Sequence, residues 1–361
     1  MAGNSLAKSP LSEEKFVPTN AFSDFLISEP LKKNIAKRGY LNPTPIQDQA
    51  IPHILAGRDV VGVANTGTGK TAAFLIPLIH RVTKDRTQKV LIIAPTRELA
   101  VQIRDELSGF SLGMNVDSVL CIGGVGIKPQ MERLRRNPQF VIGTPGRLKD
   151  LEGQRSLNFS SFKTIVLDEV DRMLDIGFIN EIKHIISCLP QSRHSLFFSA
   201  TLPPSVQEIM RSFLSNPITV SVKVVDNLVS VRQETVKTYG KAKIEVLHDL
   251  LIKRGFTKVL VFGRTKHGME KLARELGLRG FKVASIHGNK SQSQRQRALS
   301  EFKNNQVQIL LATDIASRGL DIDNVTHVIN FDLPESYEDY IHRIGRTGRA
   351  DKLGVALTFV E

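Results

Sequence analysis

The chain has 361 residues, 41% hydrophobic and 24% charged, a composition typical of a globular protein with two or three domains. Its formal net charge of +13 favours a polyanionic partner, either nucleic acid or an acidic membrane. No apolar run could cross a bilayer, and we expect no signal peptide. Cys121 and Cys188 are far apart and no His-x-x-x-His pair occurs, so we expect a reducing, cytoplasmic setting without a zinc site.

Short apolar strands alternate with amphipathic helices from Phe22 onward, after a polar stretch at 1–20 that we expect to be a flexible arm. This rhythm is typical of parallel sheets with helices on both faces. It weakens at 218–232, which we interpret as a linker. The predicted fold class is therefore α/β, with two similar domains at 21–217 and 233–361. The predicted strands are 59–64, 90–94, 116–122, 140–143, 164–167, 195–198 and 218–222, then 259–262, 282–286, 309–312, 325–330 and 355–359.

A glycine-rich turn follows the first predicted strand and leads into a buried helix. It consists of Ala64, Asn65, Thr66, Gly67, Thr68, Gly69, Lys70 and Thr71. Glycines let backbone N–H groups approach phosphate oxygens, and the helix start adds further donors. We expect Lys70 to reach the β- and γ-phosphates of a nucleotide and the Thr71 hydroxyl to bind Mg²⁺. A plain strand-to-helix turn is the alternative, but it leaves the adjacent Gly-Lys-Thr unexplained.

Acidic side chains directly follow the predicted strand 164–167. Ligands of open parallel sheets bind beyond the carboxyl ends of the strands, where Asp168 and Glu169 stand. The pair suits Mg²⁺-assisted phosphoryl transfer, with Asp168 holding the metal and Glu169 orienting or deprotonating the attacking water. The alternative is a solvated strand end without function.

These motifs together resemble the DEAD-box family of ATP-dependent RNA helicases. The acidic motif continues to residue 178 in the family's pattern, and further similar blocks lie at 95–100, 123–124, 144–147 and 199–201. The resemblance runs from Phe22 to the end of the chain, with the motifs in the family's order. It implies two RecA-like domains, ATP and Mg²⁺ as cofactors, and RNA-stimulated ATP hydrolysis. That hydrolysis would drive local, non-processive unwinding of short RNA duplexes or the remodelling of RNA–protein complexes.

Gln47 has two interpretations. With Thr44 and Pro45 it forms the sequence pattern of a capping box at a helix start, which needs no ligand. The resemblance instead assigns Gln47 to the adenine edge, with Tyr40 stacked on the base and Phe22 packed behind it. An unpaired buried amide costs roughly 1–3 kcal/mol, enough to favour ATP over GTP.

RNA contacts are implied on both domains. Helix starts and a glycine turn in the first domain suit sugar-phosphate contacts, although ordinary helix capping would use the same residues. The expected RNA-binding residues are Pro95, Thr96, Arg97, Gly124, Thr144, Pro145, Gly146, Arg147, Arg264, Thr265, Gln292, Arg295, Thr313, Arg318 and Gly319. Ser199, Thr201 and Asp171 are expected to couple the nucleotide site to the RNA surface.

Three arginines lie close together at 343–349, where a solvated face or a general anion patch is the alternative interpretation. The resemblance assigns Arg346 and Arg349 to the γ-phosphate as arginine fingers, a contact worth roughly 10³–10⁵ in rate in other NTPases. It also links His342 to the acidic motif and Asp321 to the ribose of ATP.

Three residues depart from the family pattern. Val170 occupies a position where the family has Ala, Asn65 one where Gln is usual, and Gly263 one where a bulkier residue is usual. We expect activity despite them, with slight strain at Val170 and an altered strand end at Gly263. We also expect a monomer, sequence-independent RNA binding, ribonucleoprotein partners, and no basic tail beyond the last strand. A DNA-translocating helicase of the wider superfamily and an RNA clamp without turnover remain alternatives.

Overall fold

The computed structural model describes residues 16–65, 67–222, 231–314, 325–348 and 353–360. Part of the expected N-terminal arm is held against the first domain. The backbone N–H groups of Thr19 and Asn20 donate to the Asp48 carboxylate at 2.8 and 3.1 Å. The chain is therefore anchored from about residue 19 onward.

The first domain contains a seven-stranded, fully parallel sheet in the order β3-β4-β2-β5-β6-β1-β7. Its strands are β1 (Val60–Val63), β2 (Val90–Ile93), β3 (Ser118–Cys121), β4 (Phe140–Gly143), β5 (Thr164–Leu167), β6 (His194–Ser199) and β7 (Ile218–Ser221). The strands β1 and β5, which precede the two predicted nucleotide motifs, lie on either side of β6. The carboxyl ends of all three strands therefore meet at one edge of the sheet.

Helices cover both faces of this sheet because its strands are apolar on both sides. Val90 and Ile92 of β2 pack into one buried cluster, whereas Leu91 and Ile93 pack into the other. The helices on the first face are α1 (Glu29–Lys37), α2 (Pro45–Leu55), α3 (Lys70–Lys84) and α4 (Arg97–Phe110). Those on the second face are α5 (Ile127–Leu134), α6 (Pro145–Gly153), α7 (Val170–Asp175), α8 (Ile179–Ser187) and α9 (Pro204–Phe213).

The second domain repeats this plan with a six-stranded parallel sheet in the order β10-β11-β9-β12-β13-β8. Its strands are β8 (Val231–Lys237), β9 (Val259–Phe262), β10 (Val283–Ile286), β11 (Ile309–Ala312), β12 (His327–Asn330) and β13 (Gly354–Val360). Its helices are α10 (Lys243–Leu251), α11 (Lys266–Leu278), α12 (Gln292–Lys303) and α13 (Tyr337–Ile344). The predicted α/β class with two parallel-sheet domains is confirmed.

All of the predicted strands are present, and the described residues contain one further strand that was not predicted. Val231–Lys237 forms β8 at the edge of the second sheet, paired with β13. Ile218–Ser221 belongs to the first sheet as β7. Both strands overlap the expected linker 218–232, of which residues 223–230 lie outside the described residues. Within the described ranges, no helix is both long and apolar enough to cross a membrane.

Candidate active site and nucleic-acid interface

The phosphate-loop candidate joins the end of β1 to the start of α3. Gly69 has a left-handed backbone with φ +92°, and a side chain there would collide with the Gln47 amide, so only glycine fits. Lys70 begins α3, and its Nζ donates to the Ala64 carbonyl at 2.8 Å. The Thr68 hydroxyl donates to the Asn65 carbonyl at 2.8 Å, which closes the turn. Gly67 and Thr71 flank these contacts, and Thr66 lies outside the described residues.

Gln47 is fully buried and uses both ends of its amide. Its Oε1 accepts the backbone N–H of Thr44 at 2.9 Å, so the glutamine half of the capping box is present. Its Nε2 donates to the Gly69 carbonyl at 3.1 Å, which ties α2 to the phosphate loop. The amide nitrogen carries a second N–H and the oxygen a second lone pair. The cap therefore exists without excluding a contact to adenine, which stays a prediction.

Tyr40 and Phe22 form an aromatic wall near the start of α2. The Tyr40 ring packs edge-on against Phe22, with centroids 6.3 Å apart, and against Phe110 at 5.2 Å. Phe22 is buried, whereas Tyr40 is only partly buried. The assignment of Tyr40 to the base, with Phe22 packed behind it, stays a prediction.

Asp168 is buried at the end of β5, beside Lys70 and Glu169. Among the described residues, no hydrogen-bond donor meets its Oδ1. Burial, with the neighbouring charges of Glu169 and Asp171, raises the pKa of Asp168 to about 7, although Lys70 opposes the shift. A buried carboxylate oxygen without a donor is costly unless a positive charge meets it. Its hard oxygen is the kind of ligand that Mg²⁺ prefers, so this position fits the metal.

Glu169 sits at the turn into α7 with a left-handed backbone, φ +53°. Its carboxylate forms an ion pair with Arg172 at 3.2 Å. Burial opposes ionisation, but Arg172, Lys70 and Arg346 together outweigh burial and keep the pKa of Glu169 below its usual value. Arg346 belongs to the second domain, so a cation from one domain acts on the acidic motif of the other.

The three predicted coupling residues contact one another. The Ser199 hydroxyl accepts the backbone N–H of Asp171 at 3.2 Å. Asp171 Oδ2 in turn accepts the backbone N–H and the hydroxyl of Thr201 at 2.9 and 3.1 Å. Because Asp171 follows Glu169 in the same turn, this network joins the acidic motif to the end of β6.

A basic patch lies at the carboxyl ends of β2, β3 and β4. A side chain at Gly124 would collide with the Arg97 guanidinium, so the glycine turn makes room for this arginine. Arg147 donates to the Val125 carbonyl at 3.2 Å on the same turn. Helix starts frame the patch: Thr96 caps α4 by accepting the Leu99 N–H, and Thr144 and Pro145 begin α6. The surroundings of Gly146 are open, and Pro95 is buried beneath the patch.

Gln292 and Arg295 do not lie where we expected. Both bind Glu98 of the first domain: Gln292 Nε2 donates to Oε1 at 3.1 Å, and Arg295 Nη2 lies 3.0 Å from Oε2. The Glu98 and Gln292 side chains are buried. These two residues of α12 therefore join the domains in this structure instead of forming an exposed RNA surface. Glu98 was not among the predicted site residues, although it lies in the block 95–100 that resembles the family, because an acidic residue in the first turn of a helix is also explained by the helix dipole alone.

Other second-domain candidates lie at strand ends. Thr265 caps α11 by accepting the Gly268 N–H at 3.0 Å, and the Arg264 N–H donates to Asp332 at 2.9 Å. Thr313 follows β11, with its N–H on the Ile286 carbonyl. His342 is exposed, and its carbonyl accepts from Arg346 Nε at 3.3 Å. The predictions for Arg318, Gly319, Asp321 and Arg349 fall outside the described residues.

Arg343 has a role that sequence reasoning did not find. Its fully buried guanidinium pairs with both Asp314 oxygens at 2.6 and 2.7 Å and donates to the Asp332 carbonyl at 2.7 Å. A bidentate pair of this kind fixes the position of α13 against the end of β11. The only sequence signal for this role was the repeated arginine spacing at 343–349, and that spacing does not distinguish a buried arginine from an exposed one.

The structure explains how two of the three residues that depart from the family pattern are packed. Val170 is fully buried within the second-face cluster of the first domain. A side chain at Gly263 would collide with Met269, so the methionine occupies the space that a bulkier residue would take. Asn65 contributes its carbonyl to the turn, as described above.

Comparisons with known proteins agree with this geometry. The DEAD/DEAH box helicase family matches residues 44–209, and the helicase conserved C-terminal domain matches residues 242–351. The ATP-dependent RNA helicase CshA of Listeria monocytogenes is 44% identical over 94% of this chain and 66% of its own length. The DEAD-box ATP-dependent RNA helicase CshA of Bacillus subtilis is 43% identical over 95% of this chain and 70% of its own length. The chain thus spans about two thirds of the length of these relatives.

Solved structures show the same fold and a similar arrangement of the two domains. Saccharomyces cerevisiae Dbp5 bound to RNA and ADP BeF3 is 29% identical and matches with a TM-score of 0.84 over 94% of this chain and 89% of its own. A Dbp5 variant bound to a Gle1 variant and IP6 is also 29% identical. It matches with a TM-score of 0.76 over 94% of this chain and 88% of its own. The described domains are thus arranged more as in the RNA-bound protein. With two RecA-like domains, both family matches and these relatives, the chain belongs to the DEAD-box family of ATP-dependent RNA helicases.

Proposed function

We propose that this chain hydrolyses ATP in response to RNA and uses the cycle to separate short RNA duplexes locally or to remodel RNA–protein complexes. The electrostatic influence of Arg346 on Glu169 carries the proposal, because a second-domain cation acts on the acidic motif of the first domain. The ion pair of Glu98 with Arg295 joins the same two domains in the structure. The names of the CshA relatives, ATP-dependent RNA helicases, support the same activity.

The nucleotide chemistry is assigned to residues of both domains. Lys70 would exchange the Ala64 carbonyl for the β- and γ-phosphate oxygens, and the loop N–H groups would cradle the phosphates. Glu169, kept ionised by Arg172, Lys70 and Arg346, would orient and deprotonate the attacking water. Arg346 and Arg349 would neutralise charge that develops on the transferred phosphoryl group.

Asp168 and the Thr71 hydroxyl are assigned to Mg²⁺. The buried Oδ1 of Asp168, which meets no hydrogen-bond donor among the described residues, supports this role for its carboxylate. When bound, Mg²⁺ supplies positive charge to the phosphate oxygens and lowers the barrier to phosphoryl transfer. The positive charge would also lower the pKa of Asp168 and favour its ionised form.

RNA is assigned to the patch around Arg97, Gly124 and Arg147 and to the second-domain strand ends at Arg264, Thr265 and Thr313. These residues offer guanidinium groups and helix N-terminal amides, which bind sugar and phosphate without reading bases. Binding should therefore be independent of sequence and weaken with salt. We further assign the chain to the cytoplasm as a monomer, with ribonucleoprotein complexes as partners. The free thiols of Cys121 and Cys188 support a reducing compartment.

Steady-state ATP hydrolysis tests the proposal. The rate should be measured without nucleic acid, with single-stranded RNA, and with DNA of matched sequence. Strong stimulation by RNA alone is the expected result, because 2′-hydroxyls distinguish the two ligands. Equal stimulation by DNA would identify a DNA-translocating helicase instead. RNA binding without any turnover would identify a passive clamp.

A further inference from the structure

Helices α6 and α8 pack side by side on the second face of the first domain, away from the nucleotide loop. Leu148 and Leu151 of α6 share a buried cluster with Ile182 and Ile185 of α8. Glu152 lies near the C-terminal end of α6, while His184 and Cys188 lie at the corresponding end of α8. The rigid packing beneath these three side chains holds them together at the surface.

One ligand atom from each of these three residues lies within 4.8 Å of the other two. His184 Nε2 is 3.4 Å from Glu152 Oε2 and 3.8 Å from Cys188 Sγ. His184 and Cys188 are four residues apart on one helix, which places them on the same face. A search for His-x-x-x-His pairs misses this arrangement, because one ligand is a thiol and another comes from a different helix.

These separations fit ligands of one cation better than a plain hydrogen bond. The distance of 3.4 Å exceeds the usual 2.7–3.2 Å of an N–H···O bond. A tetrahedral zinc ion with bonds of about 2.0 Å to nitrogen and oxygen and about 2.3 Å to sulfur separates its ligands by roughly 3–4 Å. The two measured separations from His184 lie in that range.

We propose that Glu152, His184 and Cys188 bind a zinc ion. The mixed set of thiolate, imidazole and carboxylate favours Zn²⁺ over Mg²⁺ and Ca²⁺, which take oxygen ligands. Three protein ligands leave the fourth tetrahedral position to water, and the side chains of Glu152 and His184 are 32% and 38% exposed, so an ion can enter. Bound zinc would join the C-terminal end of α6 to α8, and α6 begins at Pro145 in the basic patch.

The chain carries its own internal control for the thiol. Cys121 is fully buried in β3, and burial raises the pKa of its thiol to about 12. A chromogenic aromatic disulfide reagent should therefore modify Cys188 alone in the native protein. Zinc bound to the Cys188 thiolate should suppress most of that reaction, because the same thiolate is the nucleophile and the metal ligand, and a chelator should restore it.

Zinc binding is tested on the full chain without an affinity tag, with Mg²⁺ present and no nucleotide. Competition with a chromophoric chelator should give one zinc per chain. Cys188→Ala and His184→Asn should each weaken binding at least about tenfold, whereas the exposed matched controls His267→Asn and Glu132→Gln should not. Co²⁺ in place of zinc should give a thiolate-to-metal charge-transfer band that Cys188→Ala removes.

Two results would overturn the proposal: unchanged zinc affinity in both ligand variants, or zinc that leaves the reactivity of Cys188 unchanged. The second readout uses the unaltered protein, so it decides the matter even where a variant folds poorly. ATP hydrolysis is not part of either readout, so the zinc site can fail while the proposed helicase function stands.

Discussion

The Glu98 carboxylate of the first domain lies 3.0 Å from Arg295 Nη2 of the second. This ion pair joins the domains through residues other than Arg346, which acts electrostatically on Glu169. The Glu98 side chain is only 3% exposed, so separating the domains must return a buried carboxylate and its partners to water. The pair can favour closure only by the difference in its free energy between the two arrangements.

Removing this pair should weaken the response of ATP hydrolysis to RNA. We expect Glu98→Gln and Arg295→Met each to lower RNA-stimulated kcat/KM by roughly 5–150-fold, the usual range of coupling between sites. The double variant should lose little more than either single variant, since both remove the same contact. Arg104→Ala, which breaks an exposed pair with Asp105, is the control. Additive losses in the double variant would show that the residues act separately, for example on RNA.

Glu169→Gln should bind ATP and RNA while turning over at least about 100-fold more slowly, because an amide cannot accept the proton of the attacking water. Single-turnover hydrolysis with ATP and RNA at saturation separates this step from binding. Glu132→Gln, an exposed glutamate on α5, is the matched control. Normal turnover in the Glu169 variant would remove the residue from the chemical step.

Gln47→Ala distinguishes the two roles of the amide. If Gln47 reads adenine, the variant should lose most of its preference for ATP over GTP, a change of roughly 1–3 kcal/mol in relative binding free energy. Gln139→Ala is a suitable control, since Gln139 also accepts a backbone N–H, that of Asp117 at 2.8 Å. A Gln47 variant that is less stable but keeps its ATP preference would leave capping as the only role.

Asp168→Asn should raise the thermal unfolding midpoint of the metal-free protein while abolishing hydrolysis. The folded state raises the pKa of Asp168 to about 7, so ionisation above the usual acid range favours the unfolded chain. The stabilising effect of Asn should therefore grow as pH rises from about 4 to about 7. Thermal melts with Asp105→Asn as the exposed control measure it. A variant less stable than the parent at pH 8 would contradict this expectation.

His194 should make the first domain sensitive to mild acid. Burial, reinforced by the charge of Arg81, lowers the pKa of His194 to about 4, while its Nδ1 accepts from Arg81 at 2.6 Å. Protonation below the usual histidine pKa therefore favours the unfolded chain, and stability falls as pH drops from about 6.5 towards about 4. From pH 7 to pH 5 the loss is roughly 2 kcal/mol.

His194→Gln keeps an acceptor for Arg81 and a donor for the Arg58 carbonyl but does not titrate. Chemical denaturation between pH 7 and pH 5 should show a shallower fall for this variant than for the parent or for the exposed control His267→Gln. Parallel curves for all three proteins would show that His194 does not set the pH dependence.

The elements that could be predicted from the sequence are those in which burial requires apolar side chains. Strands such as β2 and β11 are apolar on both faces because helices cover both sides, and they stand out in any window. The candidate residues at their ends followed from the parallel arrangement. In contrast, β8 carries mostly exposed polar side chains and is defined by its backbone pairing with β13, which no composition pattern reveals.

Side-chain pairs between residues far apart in the sequence could not be predicted. Glu98 with Arg295, Arg343 with Asp314, and Glu152 with His184 are brought together only by the packing of separate elements. Gln292 and Arg295 show the consequence, because the charge and polarity that suggested RNA serve a protein carboxylate in this structure. The charge and polarity of a side chain limit the kind of partner that it can bind. They do not determine which of several partners with the same charge it binds.

The polar character of β8 has a consequence for solubility during folding. β8 is the last strand of its sheet, and within the part of the chain that the structure describes no further strand pairs with its outer row of backbone groups. Such a row is the kind of surface on which another chain can add a strand. Arg232, Glu234 and Lys237 place charges of both signs along it. A second chain that extended the sheet would have to pack against these charged side chains and remove part of their hydration. The side chains that conceal this strand from prediction therefore protect the protein against edge-to-edge aggregation.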